Sequence, residues 1–180
     1  MSDNEVSISR LDGVAAAASV QELADVLIDC VEGGASVSFM LPLARPAAVA
    51  FWTSVAQGVA RGERILLVAR LEGRIVGTVQ LVTAQPENQP HRADVAKMLV
   101  CRSARRRGIG QRLLQAVDEA ARAEGKTVLV LDTVTGGDAE RLYARCGWLR
   151  VGVVPNYALM PDGALCATTY FHKQLGGAPA

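Results

Sequence analysis

The segment from Asp94 to Leu114 constrains this chain more than any other. Asp94 to Cys101 reads as a strand, Arg102 to Gly108 as a turn rich in arginine, and Ile109 to about Ala123 as an amphipathic helix. The next strand-like stretch, Thr127 to Thr133, contains the unbroken apolar run Val128-Leu129-Val130-Leu131, the pattern of a strand buried on both faces. Two strands joined by such a helix form a right-handed crossover, so 94–101 and 127–133 are expected to lie parallel. The turn also carries chemical meaning. The first turn of a helix has free N–H groups and a positive dipole end, which suit a phosphate or pyrophosphate. Gly108 and Gly110 are expected to remove side chains that would hold the anion away from the backbone. A dinucleotide fingerprint would need a third glycine where Leu113 stands, and a P-loop would need Gly-Lys-Ser/Thr. Neither is present, and Arg105-Arg106-Arg107 can also be read as a solvated basic turn.

The remaining elements follow from periodicity. Val20, Leu23, Ala24, Leu27, Ile28 and Val31 recur at helical spacing, and Gly33-Gly34 closes that helix. Arg45-Pro46 opens a second helix through about Ala60. Ile65–Leu71 and Ile75–Val82 flank Glu72-Gly73 as an antiparallel hairpin. A short helix covers about Asp138–Cys146, and strands at about Leu149–Val154 and Ala167–Lys173 flank a loop from Pro155 to Gly163. Residues 85–90 form a loop, and 35–42 fit no regular pattern. The expected fold is one α/β domain over 1–180, a mixed sheet with helices on both faces, with flexible ends at about 1–12 and 177–180.

Composition narrows the function. The 180 residues are 50% apolar and 21% charged, which excludes a disordered chain, and a net charge of +1 argues against nucleic acid as a partner. No apolar run reaches the roughly 18 residues of a membrane span, and the acidic start (Asp3, Glu5) has the wrong charge for a secretory signal. The four cysteines lie far apart and accompany two histidines, so no metal site or redox pair is expected, and a cytoplasmic location is.

Arg105-x-x-Gly108-x-Gly110, placed just after the strand-ending Val100, resembles the acetyl-CoA signature of the GNAT N-acetyltransferases. Ala139-Glu140-Arg141-Leu142-Tyr143-Ala144-Arg145-Cys146-Gly147-Trp148 is similar to a downstream helix of the same family. The resemblance implies a mostly antiparallel central sheet and acetyl-CoA as cosubstrate. It places Met98, Leu99 and Val100 against the pantetheine arm. It places Arg105, Arg106, Arg107, Gly108, Ile109, Gly110 and Gln111 around the pyrophosphate, and Tyr143 beside the CoA sulfur. Where many members carry asparagine, seven residues before that tyrosine, this chain has Gly136. The implied partner is a small-molecule amine, amino-acid-like or toxin-like. A protein acetyltransferase, a non-catalytic acetyl-CoA-binding module and a homodimer stay open.

Acetylating an amine requires removal of its proton and protonation of the departing thiolate. Asp132 ends an apolar strand, where a carboxylate is costly to bury, and Asp94 begins the strand expected to flank the cofactor. Both are candidate bases that also bind the amine, and a cap or salt-bridge role is the alternative for each. Tyr143 is the candidate acid. Phe39, Met40 and Tyr157 are candidates for lining the acceptor pocket. Trp52 and Trp148 read as core, His91 sits in a Pro-rich loop, and Cys101 and Cys146 lack the His or Asp companion a catalytic thiol would need.

Overall fold

Arg64–Leu71 (β2) and Arg74–Val82 (β3) pair antiparallel as expected, with Glu72 (φ 52°) and Gly73 (φ 77°) both left-handed in the two-residue turn that matches strand twist. The computed structural model describes residues 5–176. Its helices are α1 (Gly13–Ala18), α2 (Val20–Glu32), α3 (Arg45–Ala60), α4 (Ile109–Ala123) and α5 (Asp138–Arg145). The other strands are β1 (Ser7–Leu11), β4 (Arg92–Val100), β5 (Val128–Val134), β6 (Leu149–Leu159) and β7 (Leu165–Gln174). They form one seven-stranded sheet in the order β1-β2-β3-β4-β5-β7-β6, antiparallel except for the β4–β5 pair. The mixed α/β sheet with helices on both faces is therefore borne out. One core packs Leu23, Leu27, Trp52 and Val55 of α2 and α3 against the sheet; the other packs Ile109, Leu113, Leu114 and Val117 of α4 beside Leu129, Leu131, Tyr143, Trp148 and Phe171.

Two expectations fail, each for a physical reason, and one element is added. The N-terminal end was expected to be flexible through about residue 12, yet Ser7–Leu11 pairs with β2. Ile8 packs toward the α4 core and Leu11 toward the α2–α3 core. Because they serve opposite faces, no alternation marks the strand. Asp12 then caps α1, accepting from Ala15 N at 2.8 Å. The expected loop from Pro155 to Gly163 is largely strand, since β6 runs through Pro155 to Leu159. β6 is the sheet edge, where proline costs no ladder hydrogen bond, and the register shifts between Val154 and Ala158 around Asn156 (φ 52°). Finally, α1 was not expected at all. The expected flexible end at 177–180 lies outside the described residues.

One polar contact welds α4 to the far side of the sheet. Lys173 Nζ (β7) donates to Asp118 Oδ2 (α4) at 2.5 Å and to the Cys146 carbonyl at 2.9 Å, and both charged side chains are mostly buried, at 17% and 14% exposure. Asp118→Ala strands the lysine with one neutral acceptor. The expected loss is roughly 2 kcal/mol, a Tm fall of about 4–8 °C for a domain of this size, checked by urea and thermal unfolding.

Candidate active site

The central feature is a fork in the sheet. β4 and β5 are paired only at Arg92–Val128, Ala93–Leu129 and Asp94–Val130. Past Asp94, β4 keeps β3 on one side and has no strand on the other, so the main-chain groups there that Thr78 and Arg105 do not engage are open to a ligand. Within the parting stretch β4 bulges. Gln80 faces Ala96 while Thr78 faces Leu99, so β4 spends one residue more than β3, and Lys97 takes φ 49°. The bulge reverses which residues face which core. Before it, Ala93 and Val95 belong to the α4 side; after it, Met98 and Val100 do, and Leu99 drops into the α2–α3 core. Of the expected pantetheine contacts, Leu99 is thus buried, and what it can offer a ligand is main chain.

At the end of β4, a 3₁₀ turn (Arg102–Ala104) leads into α4. Gly108 is its N-cap, left-handed at φ 74°, and no side chain caps it. A Cβ on Gly108 would meet nothing within 4 Å, so the space above the first-turn amides is open. This arrangement fits a pyrophosphate. Gly110 has a packing role as well: a Cβ there would lie 2.8 Å from Leu142 Cδ2 and 3.2 Å from Met98 Cε. That glycine seats α4 against α5 and β4. Arg105 braces the turn, its Nε donating to the Val100 carbonyl at 3.1 Å, whereas Arg106, Arg107 and Gln111 are exposed around it and Ile109 is core.

A cavity of about 410 Å³ opens at the fork, within the range of small-molecule sites. Its walls are the 36–40 loop, residues 95–97 of β4, 132–134 of β5, 157–159 of β6 and 166–168 of β7. Two bonds strap the loop across to β6 and the turn after it: Ser36 Oγ donates to the Leu159 carbonyl at 2.9 Å, and Leu41 N to the Pro161 carbonyl at 2.9 Å. The fold thus brings together Phe39, Met40, Asp132 and Tyr157 from the sequence-derived set.

Asp132 stands where alternation turns it away from Leu131 and its core, and it accepts from Thr168 Oγ1 at 2.8 Å. Asp94 is not on the wall; its carboxylate is held by Arg92 and by Gln85 Nε2 at 3.1 Å. Tyr143 lies within the α4-side core, its ring 5.9 Å from Trp148 and 6.0 Å from Phe171. Burial chiefly, then the charge of Asp132, then Cys146, holds its phenol well above the usual range. Gly136 is left-handed at φ 82°, and its N–H donates to Glu140, which also accepts from Thr169 Oγ1 at 2.9 Å. Glu140 thus anchors the turn that leads into α5.

Sequence reasoning missed three residues at the site. Thr168 and Lys97 line the cavity. Tyr170, opposite Asp132 in the β5–β7 ladder, donates to Tyr157 Oη at 2.9 Å; that bond, then burial and Asp132, pushes its pKa up to about 12. The signal available for Lys97 was a charge within the otherwise apolar stretch 95–100.

Comparison with known proteins agrees with this architecture. Residues 38–148 match the model of the acetyltransferase (GNAT) family. An uncharacterized N-acetyltransferase from the hisH–hisA intergenic region of Azospirillum brasilense is 36% identical over 130 residues, 71% of this chain and 75% of that protein. Among solved structures, an N-acetyltransferase from Staphylococcus aureus Mu50 superposes with TM-score 0.78 at 18% identity, covering 96% of this chain and 99% of that one. YncA from Salmonella typhimurium, solved with its cofactor acetyl-CoA, also gives 0.78 at 18% identity, over 98% and 97%.

Proposed function

The chain belongs to the acetyltransferase (GNAT) family, and from that premise we propose that it acetylates the primary amine of a small molecule, amino-acid-like or toxin-like, by direct attack in a ternary complex. The observation that carries this reading is Asp132 on the wall of a cavity at the fork whose size suits a small molecule. A finer likeness supports it. Gly33–Met40, His91–Val95, Leu131–Thr133, Arg150–Gly152 and Pro161–Gly163 resemble the tabtoxin-resistance acetyltransferase, and the first and third of these stretches contribute cavity walls.

The bound cosubstrate would supply an activated acetyl thioester. The main chain of Met98–Val100 and the first-turn amides of α4 would hold it, with Arg106, Arg107 and Gln111 flanking the phosphates. Asp132 takes a proton from the substrate ammonium, and Thr168 fixes the carboxylate while it does so. The free amine attacks the acetyl carbon, the C–N bond forms as the C–S bond breaks, CoA leaves as a thiolate to which Tyr143 donates a hydrogen bond, and the second proton of the acylated nitrogen passes to solvent. Asp94 is the second candidate base, one ladder position from the fork.

Two measurements test the reading. Free CoA thiol is followed while the protein is offered acetyl-CoA with small amines and, separately, with peptides. Release with small amines is expected; release with peptides alone would move the substrate to proteins, and binding without release would leave only a binding module. In parallel, Gly108→Val places a branched side chain at a left-handed position above the first-turn amides. Calorimetry is expected to show acetyl-CoA affinity reduced by at least about tenfold in a folded variant. Unchanged affinity would remove the pyrophosphate from this turn.

A further inference from the structure

Lys97 brings a positive charge to the cavity wall, and the protein leaves that charge under-satisfied. Of the three donors on its ammonium, one is taken by Ser38 Oγ at 3.1 Å, and the face of Phe51 lies 5.7 Å away. Among the described residues no carboxylate lies within ion-pair distance of it; Asp132 acts on it only through its field. A lysine that served packing alone would be replaceable by methionine, which fills the same space without desolvating a charge. The bulge instead holds the residue in a left-handed conformation that side chains rarely adopt, on the wall where the strands part.

Asp132 is the opposite charge on the facing strand, occupied by Thr168 rather than by Lys97. The cavity therefore presents an anion and a cation on separate walls, and much of the remaining lining (Val37, Phe39, Met40, Leu159) is apolar. We propose that Lys97 and Ser38 form a carboxylate subsite, so that the acceptor is an apolar α-amino acid whose carboxylate sits at Lys97 while its amine meets Asp132. The inference rests on the small-molecule reading above and narrows it to carboxylate-bearing acceptors.

The test compares kcat/KM for L-leucine, L-methionine and L-phenylalanine with kcat/KM for their carboxamides, in the wild type, Lys97→Met and Lys97→Arg. The wild type is expected to favour the acids by roughly ten- to a hundredfold, the worth of a charged hydrogen bond. Lys97→Met is expected to erase that preference through KM for the acids, and Lys97→Arg to keep part of it. Equal use of acids and carboxamides by the wild type, which needs no variant to observe, overturns the subsite and leaves amine acetylation standing. So does a Lys97→Met variant that slows both series alike. Turnover of no compound in either series overturns the small-molecule reading, and the subsite with it.

Discussion

Asp132→Asn is expected to lower kcat/KM by roughly 10²–10⁴, the usual worth of a general base, while the protein stays folded. The substitution keeps the shape of the side chain, and an amide oxygen can still accept from Thr168 Oγ1, so the change falls on the ability to take a proton. Asparagine at an exposed strand position should leave Tm close to wild type. Asp94→Asn is expected to cost less, because the Asp94 carboxylate is already engaged by Arg92 and Gln85 and lies off the cavity wall. Near-normal rates in both single variants and in the double variant would assign proton removal to solvent.

Tyr143→Phe should reduce kcat by about 10- to 100-fold with little change in acetyl-CoA affinity or Tm. The ring remains against Trp148 and Phe171, so packing is nearly intact and only one oxygen is lost. The direction of the tyrosine's shift sets the expected role. A phenol held well above its usual pKa stays protonated at every working pH, yet it is a poor donor of a whole proton to a thiolate, whose ordinary pKa is near 8.5. Its contribution is a hydrogen bond that strengthens as charge builds on sulfur. Thioesters with poor leaving groups should therefore suffer more from the substitution than activated ones. A variant that loses stability and turns over normally would make Tyr143 a core aromatic and nothing more.

The elements that position the site were legible where one period governed one face. Ile109–Ala123 has the same boundaries in the sequence reading and in the structure, and the parallel pair followed from Val128–Leu131 and the intervening helix. What escaped was every place where the phase changes. The bulge at Lys97 reverses the facing of Met98, Leu99 and Val100, and no local composition announces a bulge. The same shift brings Lys97 to the cavity wall. Gly110 has a packing reason beside the cofactor one, because a Cβ there would meet Leu142 of another helix, a contact that sequence does not show. Tyr170 and Thr168 come from a strand read as ordinary sheet. They reach the site only through their register with Asp132 and Val134, a long-range pairing that is invisible to a window of neighbours.

Acetyl-CoA is expected to lie along the parted edge of β4 with its phosphates on the first turn of α4. Amide hydrogen exchange with and without acetyl-CoA tests it segment by segment on the intact protein. Slowed exchange is expected in Lys97–Val100 and in Arg106–Gln111, with the edge strands β1 and β6 unchanged. Binding of acetyl-CoA that leaves both segments unprotected, or protects another face of the sheet, would contradict it.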